Sequence, residues 1–173
     1  MEVFEAIFER RSVRKFTGED VSKEDLERIL EAGRWAPSAG NVQPWEVIVV
    51  RSRELKERLA EAALNQEFVA EAPVVIVVCV DLKRAARTYG ERGRSLYCIQ
   101  DSAAAIQNML LAAHSLGLAT CWVGAFYEEE VKDILGIPEG FRPVALIPLG
   151  YPAYKPPKPS RRKLSQIVHF EKF

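Results

Sequence analysis

One stretch limits the possible folds of this chain more than any other. Pro73 to Val80 reads PVVIVVCV, a run with no polar side chain and five valines and an isoleucine in the space of about two helical turns. β-Branched residues favour a pleated backbone, and the opening proline marks a boundary. A strand that is apolar at successive positions, rather than at alternate ones, must be covered on both faces. The chain is therefore expected to build a layered structure with this segment central in a sheet.

The flanking sequence supplies the layers. Val3, Phe4, Ile7 and Phe8 have helical spacing, which predicts a short helix over residues 2 to 11. Ser22 followed by Asp25 resembles a capping box and opens a second helix, with Leu26, Ile29 and Leu30, running to about Arg34. Pro37 stops it, and a loop to Pro44 follows. Trp45 to Val50 reads as a buried strand, and Ser52 caps a helix to about Leu64. Leu82 to Gly93 is polar and basic with two glycines, and is expected to be a loop or a partly ordered excursion. Ser95 to Leu116 predicts a long helix with little polar surface. At ~1.5 Å per residue it exceeds about 30 Å and must be buried on most sides, by the sheet or by another subunit. Leu118 to Gly124 reads as a third strand, Glu128 to Leu135 as a short helix and Val144 to Gly150 as a fourth strand. Beyond lies a tail stiffened by Pro152, Pro156, Pro157 and Pro159 and then carrying Leu164, Ile167, Val168 and Phe170. Apolar residues beyond a stiff linker commonly pack on a partner. At 173 residues the expectation is one domain, with 151–173 as an extended arm.

Charge and composition exclude several classes. Lys plus Arg and Asp plus Glu are both 24, so no overall field draws nucleic acid or acidic membranes, and any anion site must be local. No apolar stretch approaches the roughly 20 residues of a membrane span. The acidic, amphipathic start MEVFEAIFER is unlike a secretory signal, so the cytoplasm is the expected location. Cys79, Cys98 and Cys121 lie in apolar runs without C-x-x-C spacing, and His114 and His169 fall in no ligand pattern, so no protein-bound metal is expected. No G-x-S-x-G elbow is present. If the chain is an enzyme, a cofactor carries the difficult chemistry.

Arg10-Arg11-Ser12-Val13-Arg14 is the first place to look for one. Guanidinium is a fixed cation whose planar fork matches phosphate oxygens. Taken alone, such a cluster is commonly a solvated basic run. No G-x-G-x-x-G or G-x-x-x-x-G-K-[ST] loop is present, so a phosphate would have to be held by side chains. A second segment, Pro37-Ser-Ala-Gly-Asn-Val-Gln-Pro44, offers a hydroxyl and two carboxamides suited to the edge of a heteroaromatic ring, though Ser and Asn serve turns everywhere. Asn65-Gln66 precedes the central strand. Cys121 to Phe126 ends a strand with small residues between aromatics, which permits close backbone approach to a flat ligand. Arg161-Arg162-Lys163 adds a basic patch in the tail.

Together, and in this order, these segments resemble the nitroreductase-like family of FMN flavoproteins. The likeness runs through RRSVRKF, APSAGNVQPW, NQEFVAEAPVVIVV, QDSAAAIQNMLLAAHSLGLATCWVGAF, LGIPEGFRPVALIPLGYP and the RRKL tail, nearly the whole chain. It implies an α+β fold with a mainly antiparallel, helix-flanked sheet, in a homodimer with exchanged C-terminal arms and two FMN molecules at the interface. Carried onto this sequence, Arg10 and Ser12 hold the phosphate with Arg161 from the tail, and Arg11 occupies a further contact position. Arg14 lies beside the pyrimidine edge of the flavin. Pro37, Ser38 and Ala39 line the ring from the partner, supported by Asn41 and Gln43. Asn65 bonds the carbonyl and imide edge, and the N–H groups of Gly124 and Ala125 lie near N5 and O4; Arg162 and Lys163 are weaker candidates. The implied reaction is ping-pong hydride transfer from NADH or NADPH through FMN to an acceptor such as a nitroaromatic or quinone. No catalytic acid or base is assigned. The insertion before the long helix is short here, only about Leu82 to Arg94, so a specialised flavin enzyme of the same fold, a reductive dehalogenase or a dehydrogenase, stays open. A non-enzymatic dimer binding a phosphate ligand is the alternative from another class.

Overall fold

A computed structural model describes residues 1–173. Its elements are α1 (Val3–Glu9), α2 (Lys23–Arg34), β1 (Trp45–Val50), α3 (Arg53–Ala62), α4 (Phe68–Glu71), β2 (Val74–Asp81), α5 (Leu82–Arg92), α6 (Cys98–Ser115), β3 (Ala119–Thr120), α7 (Glu128–Leu135) and β4 (Phe141–Gly150). The four strands pair antiparallel in the order β1-β2-β4-β3. This is the α+β class with a mainly antiparallel, helix-flanked sheet.

β2 is central, and its two faces explain its composition. Val74, Ile76 and Val78 pack with α2 and α6 in a core that includes Ile29, Ile106, Met109 and Leu110. Val75, Val77 and Cys79 face the other way, onto Leu59 of α3, Val69 of α4 and Val131 of α7. Seven consecutive positions of the strand are buried, so alternation has no polar face to display.

Four expectations need correction. β1 is an edge strand, with Val47 and Val49 each 36% exposed, because only β2 pairs with it. The third strand is shorter than Leu118–Gly124: only Ala119 and Thr120 form a ladder with Gly150 and Leu149, and an isolated bridge joins Val123 to Leu146. Pro148 stands opposite Cys121. It accepts the Cys121 N–H at 3.3 Å but has no N–H to return, which interrupts the ladder. Leu82–Gly93 is helical up to Arg92, not a loop. Asp81 caps it by accepting from the Arg84 N–H, and Leu82, Ala85 and Ala86 have helical spacing beneath the basic residues. The chain departs from helical geometry at Gly90 (φ 54°, ψ −137°), a conformation that glycine supplies. The long helix begins at Cys98 rather than Ser95, after a π-type turn over Gly93–Tyr97.

Cys79, Cys98 and Cys121 are buried free thiols. Residues 157–173 are exposed throughout, with one short 3-10 turn at Leu164–Gln166.

Candidate functional site

The arginine segment leaves α1 and joins the sheet. Ser12 forms a parallel bridge with Thr120, and the Val13 N–H donates to the Thr120 carbonyl at 3.0 Å. An extended backbone alternates its side chains, and the chemistry divides accordingly. Arg10, Ser12 and Arg14 surround Cys121: burial pushes that thiol up, against the opposing influence of Arg14, the Ser12 hydroxyl and Arg10. Val13 turns into a small core with Phe16, Ala72 and Ala119. Arg11 folds back instead, donating at 2.7 Å to the carbonyls of Phe8 and Arg10. It caps the C-terminal end of α1.

Arg10 has the character of an anion ligand. Its guanidinium is held below the usual arginine value by burial first, and then by the neighbouring cations Arg11 and Arg161. No carboxylate pairs with it, and its Nε is buried without a hydrogen-bond partner. Buried donors are normally satisfied, so an unfilled one marks room for an acceptor. Arg161, far along in sequence, is thus among the cations acting on Arg10. Arg162 is occupied locally, its guanidinium donating to the Gln166 carbonyl, while at Lys163 only the backbone N–H is engaged, donating to Gln166 Oε1.

Beside this cluster two loops are tied together. Leu64 and Asn65 take left-handed conformations (φ 60° and 59°) where α3 ends. Gln66 Nε2 donates to Ala63 O at 2.8 Å and to Ala125 O at 3.2 Å, while the Tyr127 N–H donates to Ala62 O. Gln66 thereby holds Asn65 against the Gly124-Ala125 turn. Arg14 lies over the ring of Phe68, 5.8 Å from its centroid. A Cβ placed on Gly124 would meet nothing within 4 Å. That open backbone, next to Asn65 and the arginines, is space a flat ligand can use.

The Pro37–Pro44 loop lies elsewhere. The Ala39 N–H donates to Asp101 Oδ1 at 3.0 Å, so the loop rests on the N-terminal end of α6. Its polar groups satisfy one another: Ser38 Oγ accepts from the Gln43 N–H, and Gln43 Nε2 donates to the Asn41 carbonyl and Oδ1. Arg84 Nε donates to Val42 O, and Tyr89 of α5 lies so close to Gly40 that a Cβ there would come within 2.7 Å of the phenol oxygen. Pro37 and Asn41 are exposed. Arg10, by contrast, is near His114 at the other end of α6. Asp101 and His114 are thirteen residues apart, about 20 Å along a helix axis. The structure therefore gathers Arg10, Ser12, Arg14, Asn65, Gly124, Ala125 and Arg161 around one end of the molecule. It puts Pro37, Ser38, Ala39, Asn41 and Gln43 at the other.

Gln66 and Asp101 were missed from the sequence as positioning residues. Gln66 adjoins Asn65. Asp101 is a buried carboxylate, 9% exposed, in an otherwise apolar stretch of helix, and that anomaly was the available signal.

The class these observations define is an α+β protein with a helix-flanked, four-stranded antiparallel sheet, a cation cluster at one sheet end and an open small-residue turn beside it. Within that class the chain belongs to the nitroreductase family, whose model matches residues 7–66 and 62–151. It is 41% identical over 160 residues to a protein of Methanothermobacter thermautotrophicus with the provisional name NADH dehydrogenase/NAD(P)H nitroreductase, covering 90% of this chain and 80% of that one. It is 31% identical to an FMN reductase (NAD(P)H) of Bacillus subtilis, covering 99% of this chain and 74% of the relative. The structure of an NADPH:FMN oxidoreductase from Vibrio harveyi in complex with NAD+ superimposes with a TM-score of 0.91 at 30% identity, over 99% of this chain and 77% of that one.

Proposed function

We propose that the chain is an FMN-dependent oxidoreductase of the cytoplasm. It takes hydride from NADH or NADPH and passes two electrons to a small oxidised acceptor such as a nitroaromatic or a quinone. The observation that carries this reading is Arg10: a half-buried guanidinium with no carboxylate partner and a buried, unpaired Nε, with Arg161 among the cations acting on it. The donor set fits FMN, which needs an anion grip at one end and hydrogen-bonding groups along a flat ring at the other.

Arg10, Ser12 and Arg161 hold the phosphate, with Arg11 behind them as the cap of α1. Arg14 sets a fixed cation beside the pyrimidine edge, where negative charge accumulates on reduction. Asn65 bonds that edge, and the N–H groups of Gly124 and Ala125 approach the ring where hydride arrives. FMN, when bound, supplies the hydride-accepting centre, so no side chain acts as acid or base.

The loop of Pro37, Ser38 and Ala39, backed by Asn41 and Gln43, completes the site from a second copy of the chain. Its placement about 20 Å along α6 from the arginine end supports this, since one copy cannot fold both halves onto one ligand. Exposed apolar side chains supply a surface for the partner: Phe4, Ile7 and Phe8 on α1, and Leu164, Ile167, Val168 and Phe170 in the arm. In this reading residues 1–173 form one FMN-binding unit and residues 151–173 reach across the homodimer. No helix is long and apolar enough to cross a membrane.

The test is direct. The purified protein is expected to carry or take up FMN, to be bleached anaerobically by NADH or NADPH, and to recover its colour on adding a nitroaromatic or a quinone. A protein that neither binds FMN nor bleaches with either nucleotide refutes the reading.

A further inference from the structure

Beside the arginine segment lies a cavity of about 420 Å³ that shares Arg10 and Arg11 with the flavin reading and otherwise lies outside it. The end of α1, the C-terminal end of α6 and the start of the arm enclose it, and its polar lining is Arg10, Arg11, His114 and Lys155 with one carboxylate, Glu9, and the hydroxyls of Thr120 and Tyr154. Val13, Leu118, Pro152 and Pro156 are among its apolar walls. Ser12, Arg14 and Cys121 do not reach it.

Three buried side-chain nitrogens in the whole chain lack a hydrogen-bond partner: Arg10 Nε, Arg11 Nε and His114 Nε2. All three belong to residues that line this one cavity. The Arg11 side chain is only 8% exposed, so water does not readily stand in as its acceptor. The charges agree. The groups acting on His114 are Arg10, Lys155, Arg11 and Glu9, three cations against one carboxylate. Glu9 is moreover shared, at 3.9 Å from Arg11, 3.4 Å from Lys155 and 3.5 Å from Lys158. Unfilled donors, surplus positive charge and apolar walls together describe a pocket for an oxyanion on a small apolar body.

We propose that this cavity is a second anion site, separate from the FMN phosphate grip, that binds a small carboxylate or phosphate ester through Arg11, His114 and Lys155. Arg10 stands between the two sites, so occupancy of one bears on the affinity of the other.

The chain has two histidines, His114 and His169, which makes the test clean. Imidazole 15N–1H spectra of the labelled protein are followed while sodium phosphate or sodium benzoate is added at constant ionic strength, with and without saturating FMN. His114 is expected to shift saturably with at least one anion in both conditions, while His169 stays in place. Preference for phosphate identifies a phosphate ligand, and preference for benzoate an organic carboxylate. Lys155→Ala is expected to weaken the titration about tenfold, as the loss of one charge-assisted contact does. His114→Gln is expected to weaken the same binding when it is followed by calorimetry. Absence of a saturable shift with either anion overturns the proposal. So does a shift seen only without FMN, because the cavity would then be part of the phosphate grip. If the protein takes no FMN, the flavin-free titration still decides the question.

Discussion

The two ends of α6 hold polar clusters of opposite character. At the His114 end, Arg10 is unpaired, three buried nitrogens lack hydrogen-bond partners, and the cations outnumber their one carboxylate, Glu9. At the Asp101 end, the Pro37–Pro44 loop is internally complete: Ser38, Asn41 and Gln43 bond within the loop, and Asp101 takes the Ala39 N–H. Leaving a buried donor unfilled costs about 1–3 kcal/mol, so a fold tolerates it where a ligand repays it. The first end is built to be filled. The second is built to keep its shape, as a surface pressed against a ligand must. They lie about 20 Å apart along α6, and under the proposed function they meet only between two copies of the chain.

The comparison breaks most visibly at Arg10. Arg10→Ala is expected to raise the dissociation constant for FMN about 100-fold, the equivalent of losing a charged hydrogen bond worth about 2–3 kcal/mol. Flavin fluorescence quenching measures it, and circular dichroism should show the fold intact. Affinity within a factor of three of the parent would remove Arg10 from the phosphate.

Gly124 tests the open side of the same half. Because a Cβ there meets nothing within 4 Å, Gly124→Val leaves the fold alone, with stability changed by no more than about 0.5 kcal/mol. FMN affinity is expected to drop at least about tenfold, because the added side chain occupies the space of a ligand lying on the turn. Thermal denaturation and flavin titration on one sample separate the two effects. Parent-like binding would show that the ligand does not lie against this backbone.

Much of this was legible from residue pattern, and the losses have physical reasons. PVVIVVCV announced a strand covered on both faces, and Ser22 and Ser52 marked helix starts that the structure shows capped at Asp25 and Leu55. α5 was hidden because its polar face is arginine-rich and Gly90 reads as a breaker, although the deformation is confined to that one residue. The length of β3 was hidden because the limiting residue, Pro148, belongs to a strand distant in sequence. For the site, the arginines and small residues were recognisable as types, but the inward turn of Arg11 onto α1 depends on where the helix ends. His114 appeared to be an isolated histidine. Its cationic surroundings arise only when α1, α6 and the arm converge.

Whether the two ends meet between copies can be tested by mixing. A chain carrying Arg10→Ala and a chain carrying Ala39→Trp each lose activity as homodimers. In a mixed dimer one site inherits both defects, while the other inherits neither, so about half of the parent activity is expected to return. Differently tagged chains, co-expressed and purified in tandem, provide the sample. No recovery would mean that both halves serve one site within a single chain.

The smallest effect lies at the completed end and tests what holds the loop. Burial raises the proton affinity of Asp101, opposed by the Ala39 N–H that it accepts. The folded chain therefore keeps this proton to a higher pH than the unfolded chain, whose reference value is 3.8. The buried charge costs stability. That cost is absent well below 3.8, sets in as pH rises through it, and is complete above the raised folded value. Asp101→Asn keeps an oxygen that can accept from Ala39 while removing the charge. Urea denaturation at neutral pH is expected to show it equal to or slightly more stable than the parent, with the difference disappearing near pH 3. Asp101→Leu removes the acceptor as well and is expected to lose about 1–2 kcal/mol in the neutral range. If instead Asp101→Asn is as damaging as Asp101→Leu, the negative charge itself holds the loop, and the Asp101 end is no longer an internally satisfied scaffold but a second electrostatic half.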